Sequence, residues 1–166
     1  MGVIGFQRRV GKNEMRAVLM DGHKMTRENM INNCFIARTF LSERYLRLPA
    51  ELIEEFSDIK QAYIEQEEWY KKDLSTLPHI IFGDLFNPWL ISLLKNERGN
   101  KDELQHAFAY LEKLANDEDA DVQNVIQVTV MEQLGDDKKI LRKSYKYMGK
   151  RTRQLSDLAE KMIGRS

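Results

Sequence analysis

The chain is short of the residues that staple, span or catalyse. Its 166 residues hold one cysteine, Cys34, so neither an intrachain disulfide nor a cysteine-built zinc site can form. No stretch approaches the ~20 consecutive apolar residues of a membrane-spanning helix. The three histidines, His23, His79 and His106, stand in no metal-binding spacing such as H-E-x-x-H. His79 with Asp84 is at most a partial ligand pair, and a helix-end histidine is the simpler reading. There is no glycine-rich phosphate loop and no G-x-S-x-G elbow. The apolar start, Met1 to Phe6, is too short for a secretory signal, and Phe6 stands where a myristoylation motif needs Ser or Thr. A cytoplasmic location is therefore expected. No catalytic residue, no metal and no cofactor is implied, so the chain reads as a non-enzyme. Net charge is also missing, because 26 basic side chains balance 26 acidic ones.

What is present argues for a folded chain of about one domain. Apolar residues make up 42% and charged residues 31%, too apolar for a disordered segment. The charge balance conceals a division. Residues 1–47 carry +5, residues 48–137 carry −13 and residues 138–166 carry +8. Either the basic ends and the acidic middle pair within the fold, or the acidic middle is offered to a basic partner.

Residues 1–25 read as an N-terminal arm or a hairpin around Gly11-Lys12-Asn13, with a short helix over Glu14–Met20 as the rival. A single helical domain is expected over 26–166. Thr26 fits an N-cap, and Met30, Ile31, Cys34, Phe35, Leu41, Tyr45 and Leu48 follow at mostly helical spacing. On the stripe, Cys34 reads as a buried structural residue rather than a nucleophile. Pro49 suits the first position of a second helix reaching about Asp73. That helix would bury Leu52, Phe56, Ile59, Tyr63 and Tyr70 and turn Glu51, Glu54, Glu55, Asp58, Glu65, Glu67 and Glu68 to solvent. His79 to Phe82 could be a strand or a helical turn. Asn87-Pro88 predicts a helix start, Asn100 with Glu103 a capping box, and Leu104, Ala107, Phe108, Leu111 and Leu114 a clean amphipathic stripe. Val122–Leu134 is rich in β-branched residues, but its length favours helix. Val122, Val125, Ile126, Thr129, Val130 and Gln133 would share one face, with Gly135 as the stop. The last helical region, Lys138 to Ile163, should break near Gly149. The fold class is all-α, with antiparallel helix pairs stacked irregularly.

Several motifs carry a resemblance. They are Phe82 to Leu90 (FGDLFNPWL), Asp121 to Glu132 followed by Leu134-Gly135-Asp136-Asp137, Lys146-Tyr147-Met148-Gly149, Leu155-Ser156-Asp157 and Gly164-Arg165. Together they make residues 75–165 similar to a family of small, largely uncharacterised bacterial helical domains. Its members resemble HEAT-type repeats, and some look like toxin immunity proteins. The resemblance implies a protein partner, with a cognate toxin as the candidate. The acidic candidates for that contact are Glu65, Glu67, Glu68, Glu118, Asp119 and Asp121. Trp69 and Trp89 are possible aromatic anchors, and Asp84 reads as a partly buried polar group among Phe82, Leu85 and Phe86. The alternative is a nucleic-acid-associated regulator that uses Arg142, Lys143, Lys146, Lys150, Arg151 and Arg153 on phosphates. No recognised nucleic-acid module supports it. The oligomeric state is not legible.

Overall fold

In a computed structural model, which describes residues 41–66 and 78–165, Ser42 opens the first helix. From Ser42 onward these residues belong to one compact unit. The side chain of Ser42 accepts the N–H of Tyr45 at 2.9 Å and so caps α1, Glu43–Glu55. Pro49 does not begin a helix. It lies inside α1, on the buried face with Tyr45, Leu48 and Leu52. The break comes at Phe56 instead, where the backbone is extended (φ −122°, ψ 111°) before α2, Ser57–Glu65. The Phe56 ring explains the break, because it packs among Phe86, Trp89, His106 and Tyr110 at 5.0–5.8 Å between centroids. Tertiary packing at this residue outweighs the local proline signal.

Helix α3 is continuous from Pro78 to Lys95 and contains a wide π turn, Phe82–Phe86, between Pro78–Ile81 and Asn87–Lys95. His79 to Phe82 is therefore helical. Asn87 is not a helix start, since its N–H reaches back five residues to the carbonyl of Phe82. Helix α4, Lys101–Ala115, buries Leu104, Ala107, Phe108, Leu111 and Leu114 as its periodicity predicts. Its expected capping box is not formed, because the Asn100 amide donates to the Asn96 carbonyl at 3.2 Å instead.

Helix α5 is likewise interrupted by a π turn, Ile126–Met131, between Ala120–Val125 and Glu132–Gly135. The extra residue slips the buried face by one position. Val122, Val125, Ile126 and Val130 are buried as expected, but Met131 and Leu134 take the places predicted for Thr129 and Gln133, which are only half-buried. Gly135 does not stop α5 through a left-handed backbone. A Cβ there would lie 2.1 Å from Glu160 Oε1, so any larger residue would have to displace the end of the Glu160 side chain of the last helix. The chain finishes with α6, Lys138–Ser144, and α7, Lys150–Met162, separated around Gly149 as predicted.

The described residues thus form an all-α domain of seven helices with no strand. Helix α7 lies against the π turn of α5 and against α4, and the π turns of α3 and α5 touch each other. Phe82, Phe86, Leu90, Phe108 and Leu111 are at most 1% exposed at the centre. Each such side chain contributes roughly 1.5–3 kcal/mol of burial. The expected boundary at residue 25 and the residues before 41 lie outside the described part.

Candidate functional site

The loop from Asn116 to Asp119 joins α4 to α5 and forms an acidic corner with the start of α1. Arg44 of α1 spans it. Its Nε donates to Asp117 Oδ2 at 2.8 Å, and its Nη1 donates to Glu51 at 2.8 and 2.9 Å. Asp119 is the N-cap of α5 and accepts the N–H of Asp121 at 2.8 Å. The hydroxyl of Ser42, the same group that caps α1, also donates to Asp119. That hydroxyl, outweighing burial and helped by the N–H groups of Asp121 and Val122, holds the Asp119 carboxyl below its ordinary pKa. Glu118 and Asp121 stand exposed on either side of it. The corner is a fixed cluster of negative charge, and no group of side chains able to hold a metal occurs among the described residues.

The other partner candidates sit elsewhere. Glu65 is exposed near the end of α2 and accepts from Gln61 at 3.0 Å. Trp89 is half-buried, packed on Phe56 and Phe86, and its indole N–H donates to Asp58 at 3.3 Å. Asp84 is exposed on the π turn of α3, not partly buried, because the wide turn swings it away from Phe82, Leu85 and Phe86, which are all buried. Glu67, Glu68 and Trp69 lie outside the described residues.

The basic C-terminal set is largely committed within the fold. Lys143 Nζ donates to the carbonyls of Leu94 and Lys95 at 2.6 and 3.2 Å and closes the C-terminus of α3. Arg153 does the same for the turn after α6, donating to Tyr145 and Met148 carbonyls. Arg151 reaches the Ala115 carbonyl at the end of α4, and Lys146 pairs with Glu97 at 2.9 Å. Arg142 and Lys150 remain exposed. The ends and the middle therefore do pair at particular points: Arg44–Asp117, Lys146–Glu97 and Arg165–Asp136.

Two further features escaped sequence reasoning. An open cleft of about 540 Å³ lies between α4 and the α6–α7 turn, where Tyr147 stacks on Phe108. Glu112 lines it and is already engaged. It accepts the N–H groups of Arg151 and Thr152 at 2.8 and 2.9 Å and the Thr152 hydroxyl at 2.8 Å, capping α7 from another helix. Burial opposes its charge, but these donors more than offset that, and its pKa is lowered. The only local signal was that Gly149 cannot cap with a side chain. At the junction of the two π turns, buried Asn87 donates to the Thr129 carbonyl at 2.9 Å and to Gln133 at 2.6 Å. His79 Nδ1 lies 2.6 Å from the Thr129 hydroxyl, and burial lowers the His79 pKa despite Asp121 nearby.

The sequence profile of a domain of unknown function, DUF7674, matches residues 49–164. The chain belongs to the DUF7674 family. The match begins inside α1 and so reaches further upstream than the motifs at 75–165, taking in both π turns and the Asn116–Asp119 loop but not Ser42 or Arg44. No curated protein and no solved structure shows significant similarity to this DUF7674 chain. Among its described residues no helix is long and apolar enough to cross a membrane.

Proposed function

We propose that this DUF7674 chain is a non-enzymatic protein-binding module whose acidic corner meets a basic partner. In this reading it is an immunity protein that occludes a bacterial toxin, and its helices serve as a HEAT-like scaffold. The observation that supports the reading is the corner itself. Asp117 and Asp119 are held by Arg44, Ser42 and the start of α5, while Glu118 and Asp121 project outward. Charge fixed before binding accelerates the encounter with a basic surface and loses little entropy on docking. The nucleic-acid alternative is weaker, because Lys143, Lys146, Arg151 and Arg153 already serve helix ends or a carboxylate.

The test is co-purification with, and rescue from, the product of the gene beside this one. The reading predicts a complex whose association slows at least tenfold in Glu118→Lys/Asp121→Lys and falls with added salt. Absence of both complex and rescue would sink it.

A further inference from the structure

The outward strip between α5 and α7 differs from the rest of this charged surface. Leu158 and Met162 of α7 and Ile163, which follows its end, are 44%, 70% and 40% exposed, and the three lie within six residues. Met162 does not wave freely, since Gln127 of α5 donates from Nε2 to its sulfur at 3.0 Å. Toward the start of α7, Arg151 donates to Gln123 at 2.7 Å and to Gln154 at 3.2 Å. The partners of its guanidinium among the described residues are thus amide oxygens and the Ala115 carbonyl, with no carboxylate among them. Lys161 is exposed beside Met162 and has no ion-pair partner among the described residues. Bare apolar side chains are therefore set beside glutamines and between two cations, Arg151, whose guanidinium donates only to neutral oxygens among the described residues, and Lys161.

We infer that this strip docks an amphipathic helical segment of another protein, whose apolar side chains are flanked by carboxylates. Leu158 and Met162, one turn apart, offer the seat for residues spaced three or four apart on such a helix. Arg151 and Lys161 would meet its acidic flanks, and Gln127 and Gln154 would bond its polar edge. A second copy of this chain fits less well. Pairing the strip with itself brings like charges together, and three apolar side chains cannot supply the roughly 800 Å² per partner of a standard interface. A lipid surface would satisfy the two cations but would make no use of glutamines placed for directed hydrogen bonds. The surface is separate from the acidic corner, so the two can fail independently.

The experiment is selection of a phage-displayed library of random 16-residue peptides on the full chain, followed by fluorescence anisotropy of the enriched peptides. The expected result is enrichment of sequences with two or three large apolar residues at helical spacing and net negative flanks. Their affinity should fall at least tenfold in Leu158→Asp and in Met162→Asp, with unchanged circular dichroism. Lys161→Glu should lower affinity for the same peptides and relieve selection against basic ones. Four outcomes overturn the inference. These are no enrichment, enrichment of basic or uncharged sequences, affinities insensitive to both Asp variants, or a strip-dependent dimer in sedimentation. Binding to phosphatidylserine vesicles without peptide binding would also overturn it in favour of a membrane surface.

Discussion

Gly149 and Glu112 depend on each other. A Cβ at Gly149 would lie 2.3 Å from Glu112 Cδ, and Glu112 cannot retreat without releasing the three donors at the start of α7. Gly149→Ala should therefore lower stability by about 1–3 kcal/mol in urea unfolding. Glu112→Gln should cost about 1 kcal/mol, the usual worth of an N-cap. Its pH dependence has a definite sign. The folded-state pKa is depressed, so the stabilisation is complete above the unfolded carboxylate value of about 4.3 and is lost as pH falls through the lower folded value. The gap in urea midpoint between native chain and variant should therefore narrow below pH ~4. A gap that stays constant down to pH 3 would show that the carboxylate charge is not its source.

Among elements, the two π turns decide what a sequence can reveal. The α4 stripe was legible because its pitch is constant and Leu104, Ala107, Phe108, Leu111 and Leu114 all fall inward. In α5 the pitch changes at Ile126–Met131, and a reading that assumes 3.6 residues per turn goes out of step by one residue beyond it. Asn87 was misread for a related reason. Asn-Pro is a common helix start, yet here the wide turn lets the helix pass through it, and the amide serves the Thr129 carbonyl on α5. Asn87→Leu should leave the Thr129 carbonyl and Gln133 without this buried donor and cost about 1–3 kcal/mol. Thr129→Val, which removes only the contact to His79, should cost less. If calorimetry shows the two equal, Asn87 is not the junction's main tie.

For the whole molecule, the charge division was legible but its use was not. Counting gave basic ends and an acidic middle; only the fold shows that Arg44, Lys146 and Arg165 spend part of that charge internally. The acidic corner could be suspected from residues 117–121, but not the role of Ser42, which is 77 residues from Asp119. Arg44→Ala should cost only about 0.5–1 kcal/mol, because Arg44 and Glu51 are roughly a third exposed, and the loss should shrink in 1 M salt. Equal losses at low and high salt would assign the effect to packing of the Arg44 stem. The cap on α7 also gives the fold an internal clock. Amide protons in the first turn of a helix usually exchange with solvent quickly, having no carbonyl behind them. Those of Arg151 and Thr152 are held by a side chain on α4, so their exchange should be slow and should time the separation of the two helices.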